Sequence, residues 1–262
     1  MAKNIHSKKI KVGELDIHYF TGGQGEPLVV IHGGGDGARA WIKNVEALSE
    51  NYTVYVPDLP GFGRSQPMDG DYYIPELAKF VDEFSCNLGL ESFYLMGHSL
   101  GGGIALSYAL KFPNKLKKLV LVSSMCLGRE IALWVRLLSI PAICRFVGRA
   151  VLAVLKGVKW VADLLLAPVE FISPFSKSSI RLGSSLTTFK EQTTVLVHRL
   201  SEIMVPTLVI WGVKDPILPV EQAYLAAELI PDCQVKVFED CGHSVYRDKI
   251  QEFSRALTKF LG

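Results

Sequence analysis

Three residues far apart in this chain carry the types and local settings that acyl-transfer chemistry requires: Ser99, Asp215 and His243. Ser99 lies in Gly97-His98-Ser99-Leu100-Gly101, after the apolar run Phe93-Tyr94-Leu95-Met96 and before a glycine-rich helical pattern. A serine so placed must occupy a very sharp strand-to-helix turn, with its hydroxyl projecting above a sheet. Gly97 and Gly101 have no side chains to collide with the neighbouring strand and helix. The helix start aims backbone N–H groups at any negative charge that develops beside the serine.

A serine hydroxyl needs a base, and the base needs an orienting acid. The histidines are His6, His18, His32, His98, His198 and His243. His243 follows the last strand-like run in Asp240-Cys241-Gly242-His243-Ser244, which places it in a loop on the same sheet edge as Ser99. His6 and His18 fall in an N-terminal hairpin and are expected at the surface. His198 is expected to face solvent. For the acid, Trp211-Gly212-Val213-Lys214-Asp215-Pro216 puts Asp215 in a tight turn after another strand. Asp58 is expected to tie down its own loop, and Asp240 is too near His243 in sequence to reach the ring. The chain order serine, aspartate, histidine is one of the known orders of such a triad.

The chemistry also needs donors for an oxyanion. Ile31-His32-Gly33-Gly34-Gly35-Asp36-Gly37 follows the most apolar strand-like run. Glycines there let the backbone approach a carbonyl, and the Gly34 and Leu100 N–H groups are the chosen donors, with Gly35 the next choice. Each such donor contributes about 2.7–4 kcal/mol in the transition state. The run lacks the Lys-Ser/Thr ending of a phosphate loop. His32 is read as a structural residue holding this loop. Residues expected to line a substrate pocket are Gly35, His98, Trp134, Ile217 and Val245.

These residues must be positioned by an alternating set of elements. Strands are predicted over 10–12, 15–20, 28–32, 53–57, 93–96, 119–123, 208–211 and 234–238. Helices are predicted over 40–49, 74–88, 101–112, 220–229 and 246–261. The alternation points to a doubly wound, mostly parallel α/β sheet, with the first two strands as an antiparallel hairpin at one edge. Continuous apolar runs such as Leu28-Val29-Val30-Ile31 suit strands covered on both faces. Residues 1–124 and 204–262 form this core. Residues 125–203 show helical apolar spacing and no strand, and are read as an inserted helical cap.

Composition limits the alternatives. At 262 residues and 49% hydrophobic, the chain can bury a large core, and a net charge of +2 gives no bulk reason to bind nucleic acid. The N-terminal residues lack an apolar run suited to a signal peptide, and the five scattered cysteines suggest reduced thiols in a cytoplasmic protein. No run in the cap reaches the ~18 uncharged apolar residues of a membrane span. Its basic residues Arg136, Arg145, Arg149, Lys156 and Lys159 do raise contact with a membrane surface as a competing reading.

With these motifs in hand, the chain resembles the α/β-hydrolase superfamily over nearly its whole length. The matching motifs are His32-Gly33-Gly34-Gly35, Asp58-Leu59-Pro60-Gly61-Phe62-Gly63-Arg64-Ser65, Gly97-His98-Ser99-Leu100-Gly101-Gly102, Gly212-Val213-Lys214-Asp215 and Gly242-His243. The resemblance implies an eight-stranded sheet, a helical cap after strand six, and neither cofactor nor metal. Relatives that use an aspartate nucleophile, such as haloalkane dehalogenases and epoxide hydrolases, do not match Ser99. Carbon–carbon bond hydrolases of ring-cleavage products are similar in layout, but usually carry Asn where this chain has His98. Cofactor-free lyases and oxygenases, perhydrolases and non-catalytic ligand receptors share the fold. A hydrolase of apolar carboxylic esters is the most economical expectation.

Overall fold

The computed structural model describes residues 5–138 except 36 and 71, residues 140 and 143, and residues 186–262 except 189. Eight strands form one sheet: β1 (His6–Val12), β2 (Leu15–Gly22), β3 (Glu26–Ile31), β4 (Tyr52–Pro57), β5 (Phe93–His98), β6 (Leu116–Val122), β7 (Thr207–Gly212) and β8 (Cys233–Phe238). Their spatial order is β1-β2-β4-β3-β5-β6-β7-β8. The β1–β2 and β2–β4 pairs are antiparallel, and every later pair is parallel. The strand 10–12 read from sequence begins instead at His6, because the exposed residues of an edge strand carry no apolar alternation to announce it.

The continuous apolar runs are explained by two covered faces. Val29 and Ile31 of β3 pack into one core cluster, and Leu28 and Val30 into the other. Leu119 and Leu121 of β6 alternate with Val120 and Val122 in the same way. This is the period-two alternation of a strand sandwiched between helices. On the first face lie α2 (Ile74–Asn87) and α3 (Leu100–Lys111). The second carries α1 (Ile42–Leu48) and the C-terminal helix.

Two predicted helices are interrupted. The segment 40–49 is a 3₁₀ turn, Ala38–Trp41, followed by α1. The segment 246–261 divides at Lys249 (φ −131°, ψ 50°) into a short turn, Val245–Asp248, and an amphipathic helix, Ile250–Leu261. In the latter, Phe253, Leu257, Phe260 and Leu261 are buried at helical spacing. Most of the expected cap lies outside the described residues. Among those described, a short helix α4 (Leu133–Leu138) follows β6, and a 3₁₀ helix, Val197–Glu202, precedes β7. No helix among the described residues is long and apolar enough to cross a membrane.

Candidate active site

The loops after β3, β4, β5, β6, β7 and β8 gather at the carboxyl ends of the parallel strands, where open α/β sheets bind ligands. Ser99 follows β5 directly and has φ 54° and ψ −116°, a conformation disfavoured for a residue with a Cβ and costing about 1–3 kcal/mol. The surroundings over-determine it. Ser99 N–H donates to Val122 O at 2.9 Å, and its carbonyl accepts from Gly102, Gly103 and Met125 amides at 3.0–3.2 Å. A Cβ on Gly97 would stand 2.0 Å from Gly101 O, and one on Gly101 would stand 2.2 Å from Ile31 O. The two glycines are therefore steric requirements of the turn, as the motif implied.

His243 and Asp215 meet across adjacent loops. His243 Nδ1 lies 2.7 Å from Asp215 Oδ2, with the Asp215 side chain fully buried and the His243 ring 13% exposed. Asp215 Oδ1 accepts the Ile217 and Leu218 amides at 2.8 and 3.1 Å. Burial pushes the Asp215 carboxyl up, but the His243 hydrogen bond and charge and the two amides outweigh it, holding the group below the ordinary carboxylate range. The loops themselves are stitched together. Val213 N–H donates to Phe238 O and Lys214 N–H to Cys241 O. Asp240, the rejected acid, pairs with Lys214 at 3.0 Å on the exposed rim.

The glycine loop after β3 reaches the same place. A Cβ on Gly33 would lie 3.2 Å from Ser99 Cβ and 2.8 Å from His98 Nδ1, so this backbone runs against the Ser99 turn. Gly34 and Gly35 are exposed. Leu100 N–H is the first of the helix, among the donors that have no carbonyl within the helix to bond. His32 holds the loop as expected: its Nδ1 donates to Gly33 O at 2.7 Å and its Nε2 accepts Leu59 N–H at 3.0 Å.

The residues expected to line a pocket differ in burial, from enclosed to half-exposed. His98 is 2% exposed. Its Nε2 bonds His243 O at 2.9 Å, and its ring contacts His243 and Tyr246 at centroid distances of 4.7 and 4.9 Å. It braces the His243 loop from below. Val245 is fully buried in the second core cluster, because the turn after His243 folds that side chain onto the sheet. Ile217 is half-buried, and its carbonyl accepts Ala132 N–H at 2.9 Å. Trp134 on α4 is 49% exposed and donates Nε1–H to Pro216 O at 3.3 Å, so it stands beside the Asp215 loop. His18, expected at the surface, is 2% exposed and bound to Asp58; His6 and His198 are exposed as read.

Sequence reasoning missed two supports. One is the turn after β6, where Ser123 (φ 42°) and Cys126 (φ 73°) add strained backbone next to Ser99 and Met125 grips its carbonyl. The other is Trp41, stacked on Tyr246 at 3.9 Å behind His98. Neither has a local signature, since each depends on residues far apart in the chain. An imidazole fixed through Nδ1 by a buried carboxylate keeps Nε2 available to take a hydroxyl proton.

A strained serine at a helix start, a buried His–Asp pair and a glycine loop stand at the carboxyl ends of the same sheet. The family model for the alpha/beta hydrolase fold matches residues 26–173 and 173–249. The chain belongs to that family. It is 31% identical to 2-hydroxy-6-oxononadienedioate/2-hydroxy-6-oxononatrienedioate hydrolase of Paraburkholderia phymatum, over 95% of this chain and 92% of the relative. Its fold is also that of 2-hydroxy-6-oxo-6-phenylhexa-2,4-dienoate hydrolase of Rhodococcus sp. strain RHA1, with TM-score 0.78, 19% identity and 99% of each chain covered. A thermophilic esterase of Thermogutta terrifontis superposes with TM-score 0.77, at 23% identity and 98% of each chain.

Proposed function

We propose that the protein hydrolyses carboxylic esters of apolar small molecules through a Ser99–His243–Asp215 triad and an acyl-enzyme. The 2.7 Å His243–Asp215 bond at the sheet edge that carries the strained Ser99 turn is the observation behind this reading. His243 takes the Ser99 proton as the hydroxyl attacks the ester carbonyl, and the Gly34 and Leu100 amides receive the oxyanion. His243 then protonates the leaving alkoxide and activates a water that releases the acid. Asp215 holds the tautomer and stabilises the imidazolium. The apolar residues Trp134 and Ile217 beside the Asp215 loop favour an apolar acyl group, because a charged one would need partners there.

Carbon–carbon bond hydrolysis is the second reading, and the 31% identity to the Paraburkholderia hydrolase favours it. Against it, position 98 holds a buried imidazole bonded to His243 O rather than a side chain directed at substrate. The deciding experiment runs an ester series from acetyl to octanoyl and benzoyl beside a 2-hydroxy-6-oxo-dienoate, with fluorophosphonate labelling of Ser99. Ester turnover that rises with acyl size, together with one label at Ser99, is expected. Labelling with turnover of the dienoate alone transfers the protein to the second reading, and no labelling at Ser99 sinks both.

A further inference from the structure

Asp58, just after β4, carries a carboxylate that is hydrogen-bonded on both oxygens. Its side chain is 4% exposed, and that of His18, in the middle of β2, is 3% exposed. Asp58 Oδ2 accepts His18 Nδ1–H at 2.7 Å and Arg64 N–H at 3.1 Å. Asp58 Oδ1 accepts Ala38 N–H at 2.7 Å. On the far side of the ring, His18 Nε2 meets the Ser7 hydroxyl at 2.8 Å, which leaves Nδ1 to donate to the carboxylate. Ser65 closes the array by donating its hydroxyl to Asp58 O at 2.7 Å and accepting His18 N–H at 3.0 Å.

The consequence lies at the other end of these bonds. The backbone between Gly33 and Ala38 is the glycine loop that runs against Ser99. Its first residue is held by Leu59, through the His32 ring to Gly33 O, and its end by the Asp58 carboxylate at Ala38 N–H. Two consecutive residues thus clamp both ends of the loop, while Gly34 and Gly35 between them are exposed. An oxyanion donor works only if it is fixed before the charge develops. A buried carboxylate keeps a fixed direction only if its remaining oxygen is also satisfied. His18 supplies the side-chain partner of that oxygen, beside the Arg64 N–H.

We propose that Asp58 and His18 form a positioning dyad that sets the glycine loop, and with it the Gly34 donor, against Ser99. The proposal rests on the ester-hydrolase reading for its effect on rate, but not for its effect on the loop. Asn at position 18 can present an amide N–H where Nδ1 stood, whereas Gln presents one nearer Nε2. The test therefore compares H18N with H18Q, reading hydrogen exchange at the Ala38 amide and kcat and KM per titrated active site. In H18Q, faster exchange confined to the 33–38 loop is expected, with kcat down by up to about 100-fold and KM little changed. H18N is expected to restore most of both. Equal exchange and equal kcat in the two variants overturns the dyad, as does a loss carried entirely by KM. Faster exchange with kcat unchanged overturns the coupling to catalysis. Should H18Q not fold, the wild type still decides: an Ala38 amide that exchanges as fast as those of Gly34 and Gly35 overturns the clamp. Absence of ester turnover and of Ser99 labelling in the wild type instead breaks the functional reading, while exchange continues to report on the dyad.

Discussion

Two imidazoles in this molecule reach a carboxylate through Nδ1 at the same 2.7 Å: His243 to Asp215 and His18 to Asp58. Ser7 is bonded to the second pair, and Ser99 follows His98, whose ring contacts that of His243. The distances do not separate them; the surroundings do. His18 sits in a strand between β1 and β4, with its ring sealed and its serine on an edge strand. His243 sits in a loop with its ring part-exposed, at the edge where Ser99 is held in a strained turn at a helix start and a glycine loop comes within contact. A serine–histidine–aspartate array becomes reactive where developing charge can be met by fixed donors. Elsewhere the same array is a strut.

The sharpest way to break this comparison is to remove each serine. S99A and H243A are each expected to lower kcat/KM by about 10⁶-fold, with the double variant little worse, because the residues act as a unit. S7A, which removes only the outermost bond of the second array, is expected to lower kcat/KM by no more than about tenfold. Steady-state rates on one ester, with active-site titration of the S7A protein, check this. A comparable loss in S7A would erase the distinction between the two arrays.

The acids sharpen it next. D215N is expected to cost of order 10⁴-fold in kcat with the fold intact, since the wrong imidazole tautomer is then favoured. The same substitution has a pH signature. The Asp215 carboxyl is held below its ordinary value of 3.8 in the folded protein. Its stabilising contribution is therefore present above that value and is lost as pH falls through the lower folded one. Acid unfolding below about pH 4 should be steeper in the wild type than in D215N, measured by circular dichroism in urea. Parallel acid branches would mean that the Asp215 interactions do not favour its charged form.

Much of this was legible in the chain before any coordinates. The sheet, its antiparallel edge and the Ser99 turn follow from features local in sequence: apolar runs, their spacing, and glycines on either side of one serine. Asp215 and His243 could be chosen because each follows a strand in a short turn. His18 could not be read as buried, because its neighbours Asp16, Tyr19 and Thr21 suggest a half-wet hairpin, and its cover comes from the 58–65 loop. The same holds for His98, whose position next to Ser99 in sequence suggested the pocket, although alternation along β5 turns its ring toward His243 and Tyr246. Val245 shows the limit of arguing from proximity to a catalytic residue, since the turn Val245–Asp248 buries it against the second core face. Short-range rules set the backbone; long-range packing decided which side chains it closed over.

The smallest expected effect concerns the rim. Trp134 is half-exposed on α4 and is tied to the Asp215 loop by Nε1–H to Pro216 O at 3.3 Å. Indole at such a place can cover an acyl chain without touching the reacting carbonyl. Removing it takes away apolar contact worth about 0.8 kcal/mol per methylene it would have buried. W134A should therefore leave acetyl ester hydrolysis near wild type while lowering kcat/KM for an octanoyl ester by about tenfold. W134F, which keeps the apolar surface and loses only the exposed hydrogen bond, should fall between them and close to wild type. The ratio of the two substrates within each variant is the quantity to measure, because it cancels any general loss of folded enzyme. A uniform drop for both esters would place Trp134 in holding the Asp215 loop rather than in contact with the acyl chain. Such a result would move this residue from the substrate's side of the comparison to the side of the struts, with His18 and Asp58.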